Sequence, residues 1–63
     1  MKLTKNQLLE DGLQAFTNSL GDDIWVWFQP KSNRFCLELN CEVIKATKSL
    51  KPIQEKLNFL LTK

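Results

Sequence analysis

Histidine and tyrosine are both missing from this chain, and glycine, proline and cysteine occur only twice each. Histidine is the side chain that most often moves protons near neutral pH, so the usual general base is absent. Three serines, Ser19, Ser32 and Ser49, have no obvious base that would activate their hydroxyl groups. We therefore expect no catalytic residues and no enzymatic activity.

Adjacent acidic residues and loops of the kinds that bind cofactors are also scarce. Carboxylates are adjacent at two places only, Glu10 with Asp11 and Asp22 with Asp23. Such neighbours in a loop or before a strand are more often solvated than paired for acid–base chemistry. No glycine-rich phosphate-binding loop occurs. We expect no cofactor.

The two cysteines, Cys36 and Cys41, form no C-x-x-C motif and are too few for the disulfide framework of a small secreted domain. A zinc site shared by two copies of the chain is the alternative, with two ligands from each copy. The lack of histidine and the unusual spacing speak against it. We predict two ordinary thiols and no metal.

Long apolar segments are absent as well. The first residues lack the apolar region of a signal peptide, and no run reaches the ~18 apolar residues of a membrane span. We therefore expect a cytoplasmic protein with no membrane contact.

The length of 63 residues predicts one domain, residues 1–63. Hydrophobic residues make up 43% and charged residues 25%, which is ordinary for a folded domain and argues against disorder. A chain of this size buries only ~60% of its unfolded surface, so its core is marginal. Disulfides, metals or a partner chain usually supplement such a core.

A first helix is predicted after Thr4, which forms a T-x-x-Q capping box with Gln7. Gly21 is placed to end this helix in the left-handed conformation. The apolar residues of the segment recur at helical spacing: Leu9, Leu13, Phe16 and Leu20. Its polar face would hold Lys5, Asn6, Glu10, Gln14 and Asn18.

Two strands follow. "IWVWFQ", residues 24–29, is a short run of β-branched and aromatic residues, and "PKSN" after it has the composition of a turn. "RFCLELN" then alternates apolar and polar residues with period two. The two strands should form a hairpin.

The segment "CEVIKAT" has two interpretations. Its β-branched residues Val43, Ile44 and Thr47 favour a third strand, whereas a helix capped by Asn40 is the alternative. A last helix is predicted from Leu50 to Leu61, with Ser49 as its cap and Pro52 in its first turn. The predicted fold class is α+β, with two layers in the order α-β-β-β-α, or α-β-β-α without the third strand. Both helices would cover one face of a small antiparallel sheet.

The hairpin predicts which side chains share a face. A four-residue loop, 30–33, places Gln29 opposite Arg34. Residues counted back from Gln29 then pair with residues counted forward from Arg34. The first face then holds Ile24, Val26, Phe28, Phe35, Leu37 and Leu39, joined by Ile44 and Ala46 if Asn40 and Cys41 form the next turn. The second face holds Trp25, Trp27, Cys36, Glu38, Val43 and Lys45.

The helices should bury the first face, which leaves the tryptophans outside the core. An exposed apolar patch of this kind usually marks a contact surface. We therefore predict a non-enzymatic interaction or regulatory module that binds a second copy or another protein through Trp25, Trp27, Cys36, Glu38, Val43 and Lys45. In the competing interpretation, a one-residue shift swaps the faces, or the tryptophans pack at the edge of the core.

A lysine cluster supports a second hypothesis. Lys45, Lys48 and Lys51 lead into the last helix with Ser49 among them, and residues 41–63 carry most of the positive charge. Lysines, hydroxyls and free amides at a helix start can hold a phosphate, as in a small nucleic-acid-binding protein, with Trp25 and Trp27 stacking on bases in one version. Three lysines on a solvated surface are the simpler interpretation.

The α-β-β-β-α order and this cluster loosely resemble a double-stranded-RNA-binding domain. The resemblance implies phosphate contacts at Lys45, Lys48 and Lys51. It covers the chain as topology but not as motif: the loop "QPKSNRF" lacks that family's Gly-Pro, and the alanine-rich last helix is missing.

Overall fold

The computed structural model describes residues 2–62. Two helices pack against a four-stranded antiparallel sheet whose strands follow one another in the order β1-β2-β3-β4. The α+β class is confirmed, with one more strand than predicted. The elements are α1 (Lys5–Asp11), β1 (Gln14–Thr17), β2 (Asp23–Gln29), β3 (Arg34–Leu39), β4 (Glu42–Thr47) and α2 (Leu50–Leu61).

The first helix is much shorter than the sequence pattern predicted. Its start is as expected, since the Thr4 hydroxyl oxygen accepts a hydrogen bond from the Gln7 backbone N–H at 3.1 Å. Its end comes at Gly12, which has φ 76° and ψ −130° and donates its N–H to the carbonyl of Leu8 at 3.0 Å. Few residues other than glycine adopt that conformation. Gly21 lies in the β1–β2 loop and ends no helix.

Residues 14–17 form the additional strand, where a helix had been predicted. β1 pairs with β2, with Ala15 opposite Trp25 and Phe16 opposite Ile24. Its side chains alternate between half-buried and exposed, as on a strand. The helical spacing of Leu13, Phe16 and Leu20 was misleading, because backbone hydrogen bonds to β2 give this segment a better partner than a helix interrupted by glycine.

The hairpin of β2 and β3 has the predicted register. Gln29 lies opposite Arg34, Trp27 opposite Cys36, and Trp25 opposite Glu38. Asn33 has φ 53° in the loop, and its N–H donates to the carbonyl of Pro30 at 3.2 Å. The shift of register that would have exchanged the faces does not occur.

Both helices pack on the same face of the sheet. The centre of the core is fully buried at Ile24, Val26 and Leu37 from the strands. α1 and the residue before its cap contribute Leu8 and Leu3. α2 contributes Ile53, Leu57 and Leu60, and Phe35 completes the buried cluster.

Residues 42–47 form a strand, as the β-branched residues favoured. Asn40 and Cys41 make the turn before it, with φ 50° and 70°. Beyond the turn the register shifts, because Glu38 pairs with Val43 whereas Leu37 pairs with Lys45. Ile44 is therefore an extra residue in β4, the arrangement of a β-bulge.

The second helix has the bounds that the sequence predicted. Ser49 occupies the N-cap position with extended backbone, although its side chain makes no capping hydrogen bond. Ile53, Leu57 and Leu60 are buried, while Phe59 remains 54% exposed. Neither helix of the described chain has the length and apolar character needed to cross a bilayer.

Candidate protein-interaction surface

The sheet has one face that no helix covers, which we call the open face. Opposed residues of antiparallel strands point to the same side of a sheet, so the registers define this face. Its members alternate with the core residues along each strand. They are Ala15, Thr17, Asp23, Trp25, Trp27, Gln29, Arg34, Cys36, Glu38, Val43 and Ala46.

The tryptophans lie near the middle of the open face. Trp25 is 38% exposed and Trp27 is half-buried. Across all four strands, one row of side chains reads Ala15, Trp25, Glu38, Val43. Val43 at the end of this row is 51% exposed. The row is therefore mainly apolar, with one half-buried carboxylate inside it.

An apolar groove runs along the tryptophans on the β1 side. Its volume is about 450 Å³, and Trp25, Trp27 and Glu38 line it together with Gly12, Leu13 and Phe28. Leu13 is 47% exposed. The sequence pattern predicts that Leu13 lies on the buried face of a helix. That prediction is wrong, because Leu13 lines the groove beside the tryptophans. The alternation of residues 14–17 is the feature of the sequence that could have indicated a strand here instead of a helix.

Cys36 lies at the centre of the open face and is nonetheless buried, with 5% of its surface exposed. Its thiol donates a long hydrogen bond of 3.9 Å to Oε1 of Gln29. Burial raises the pKa of the Cys36 thiol, and the positive charge of Arg34 opposes that effect in part. Cys41 is exposed in the turn, and both thiols are free. Within residues 2–62 no cluster of three metal-binding side chains occurs.

Lys45 does not lie on the open face, where the sequence had placed it. The extra residue Ile44 reverses the alternation, so Lys45 lies opposite Leu37 and Ala46 lies opposite Cys36. Lys45 instead lines a groove of about 350 Å³ against α2, with Pro52, Glu55, Lys56 and Phe59. The prediction that Ile44 and Ala46 join the core face was wrong for the same reason: Ala46 is exposed and Ile44 is 39% exposed.

The remaining members of the lysine cluster are exposed at the start of α2. Lys48, Ser49 and Lys51 are all exposed. Lys51 lines a third groove, of about 280 Å³, together with Glu55. Glu55 also lines the groove of Lys45, so a carboxylate interrupts the positive surface. The site residues predicted from sequence thus fall on opposite sides of the sheet.

Comparisons with protein-family models, with curated proteins and with solved structures find no match to this chain.

Proposed function

We propose that this protein is a non-enzymatic interaction module that associates with a second copy of itself through the open face. The observation that carries the proposal is the exposure of large apolar side chains on that face and in the groove beside it. Leu13, Trp25 and Val43 are 47%, 38% and 51% exposed. Apolar patches of this kind on small proteins are typical of contact surfaces.

The gain from covering this surface is comparable with the cost of association. The three exposed side chains each retain on the order of 80 Å² of accessible area, so burying them in two copies contributes roughly 12 kcal/mol. Association of two proteins costs about 4–15 kcal/mol in lost freedom. The balance leaves at most about 8 kcal/mol in favour of association, so we expect a weak dimer with a dissociation constant in the micromolar range or above. A self-associating module of this size would act as a regulator, adaptor or inhibitor.

The test compares oligomeric state in two matched variants. Trp25→Ser with Trp27→Ser removes both rings from the open face. Phe59→Ser is the control, because Phe59 is more exposed than Trp25 but lies on α2 in the other layer. Sedimentation equilibrium should find the wild type and the control dimeric at about 50 µM and dissociating on dilution. The double variant should be a folded monomer.

Two results would contradict the proposal. One is a wild-type protein that stays monomeric at every concentration. The other is a double tryptophan variant that keeps the wild-type mass. Tryptophan emission supplies a second readout, because dissociation should shift the wild-type maximum to longer wavelength as Trp25 meets water.

Nucleic-acid binding is the alternative proposal, supported by the exposure of Lys48 and Ser49 just before α2 and of Lys51 in its first turn. It predicts salt-dependent binding of an RNA or DNA duplex that weakens when Lys48 and Lys51 are replaced by glutamine. Fluorescence anisotropy with a 20-base-pair duplex at low salt tests it. No binding there would remove this alternative.

A further inference from the structure

We propose that two copies meet face to face about a two-fold axis that passes through the row of Trp27 and Cys36, perpendicular to the strands. In this arrangement Arg34 of each copy pairs with Glu38 of the partner subunit. The inference rests on the proposed function and specifies its geometry. It follows from how charge is distributed on the open face.

Arg34 and Glu38 are placed symmetrically about Cys36. All three lie on β3, with Arg34 two positions before Cys36 and Glu38 two positions after it. Strand residues rise about 3.3 Å each, so the two charges are roughly 13 Å apart and on the same side of the sheet. That separation is too large for an ion pair within one copy. It leaves a positive and a negative group at equal distances on either side of the central thiol.

A two-fold axis across the strands turns this pattern into complementarity. The rotation stacks β3 on β3 of the second copy with the direction reversed. Each Arg34 then faces Glu38 of the partner subunit, and the contact is made twice because the interface is isologous. Packed sheets lie about 10 Å apart, a gap that an arginine and a glutamate reaching from opposite sides can span.

The aromatic residues fit the same axis. Trp27 lies opposite Cys36 on the axial row, so it faces Trp27 of the partner subunit, and paired rings attract when they are offset or tilted. Trp25 lies opposite Glu38 within its own sheet. Arg34 of the partner subunit therefore arrives beside the Trp25 ring, where a guanidinium is favoured by the cation–π interaction.

The other simple axis, parallel to the strands between β2 and β3, is disfavoured. It would place Glu38 over Trp25 of the partner subunit, where a carboxylate meets the negative face of an aromatic ring. It would also leave Arg34 opposite Gln29. Of these two axes, only the one across the strands pairs Arg34 with Glu38 of the partner subunit.

Charge reversal tests the arrangement. Arg34→Glu and Glu38→Arg should each weaken self-association by at least about tenfold, because each places like charges together twice. Mixing the two variants should restore a dimer, since one copy then presents two negative groups to two positive ones. A single chain with both reversals should associate within about threefold of the wild type. Sedimentation velocity measures all four samples, and circular dichroism confirms that each variant is folded.

The outcomes separate this inference from the proposed function. Recovery on mixing supports the axis. If the wild type dimerises and the double tryptophan variant does not, but the reversed variants fail to recover on mixing, the axis is wrong and the self-association proposal stands. A monomeric wild type overturns both.

Glu38 is half-buried, so the variant Glu38→Arg could fail to fold. Neutral substitutions by glutamine test the same pairing with less disturbance of the fold. Arg34→Gln and Glu38→Gln should each weaken the dimer, and the double variant should be no weaker than either alone, because the pair is already lost in each single variant. Fully additive losses would overturn the pairing.

Discussion

The side-chain amide of Asn18 donates a hydrogen bond of 3.1 Å to the backbone carbonyl of Leu60, across 42 positions of the chain. This contact ties the β1–β2 loop to the last turn of α2. The same amide donates to the carboxylate of Asp22 at 3.1 Å, and the Asn18 carbonyl oxygen accepts from the N–H groups of Leu20 and Asp22 at 3.0 Å each. Asn18 is only 8% exposed, and this buried polar side chain has both its donors and its acceptor in use.

Replacing Asn18 by alanine should lower the free energy of unfolding by about 2–3 kcal/mol. The substitution removes a side-chain partner from two part-buried backbone N–H groups and from the buried carbonyl of Leu60, and the loss of hydrogen bonds at such groups is costly. Urea unfolding followed by circular dichroism measures the change. Asn58→Ala is the control, because Asn58 is exposed on α2 and its side-chain oxygen accepts an exposed hydrogen bond from the side-chain amide of Gln54. Equal losses in the two variants would show that the Asn18 network contributes little.

Replacing Cys41 by glycine should stabilise the protein by about 1 kcal/mol. Asn40 and Cys41 both have positive φ, and this is the conformation of the hairpin turn that Asn-Gly adopts most readily. A non-glycine residue in the left-handed region costs about 1–2 kcal/mol, part of which glycine loses again through chain entropy.

The midpoint of thermal unfolding checks this prediction. Cys41→Val is the matched comparison, because a β-branched side chain is poorly tolerated at positive φ and should destabilise the turn. A glycine variant less stable than the valine variant would show that the turn residue does not carry the expected strain.

The raised pKa of the Cys36 thiol predicts that stability falls in alkaline solution. Burial favours the neutral thiol in the folded protein, so its pKa lies above the ordinary value of 9.0. The unfolded chain loses this proton at a lower pH than the folded chain. The resulting stabilisation is complete below the unfolded pKa and is lost as the pH rises through the folded pKa.

A comparison with Cys36→Ala isolates this effect. The free energy of unfolding of the wild type should decline relative to the variant between about pH 8 and pH 10, in proportion to the thiolate formed on unfolding. A difference that stays constant over this range would contradict the raised pKa.

Much of the β2–β3–β4–α2 part was predictable from local pattern. The bounds of α2 followed from the apolar spacing of Ile53 and Leu57 together with the favourable position of Pro52. The β2–β3 register followed from a four-residue loop together with the period-two alternation, which puts Val26 and Leu37 on the same apolar face. That register also placed both tryptophans on the face away from the helices.

Three features escaped the pattern because they depend on contacts distant in sequence. Residues 14–17 fit a helix and a strand about equally, and the hydrogen bonds of β2 decided between them. The extra residue Ile44 moved Lys45 to the other side of the sheet, and no periodicity within six residues of strand reveals a bulge. Asn18 was predicted on the polar face of a helix, whereas in the structure it is buried beside α2.

The sequence by itself therefore determined the fold class, the central hairpin and the last helix, since each depends on interactions between residues close in the chain. Only the tertiary structure decided the edge strand β1, the position of Lys45 and the burial of Asn18. Those depend on which unsatisfied backbone and side-chain groups are brought together when the sheet and helices pack. Alternation along β2 places the tryptophans on the open face. The groove beside them exists because the packed fold brings Leu13 next to that face.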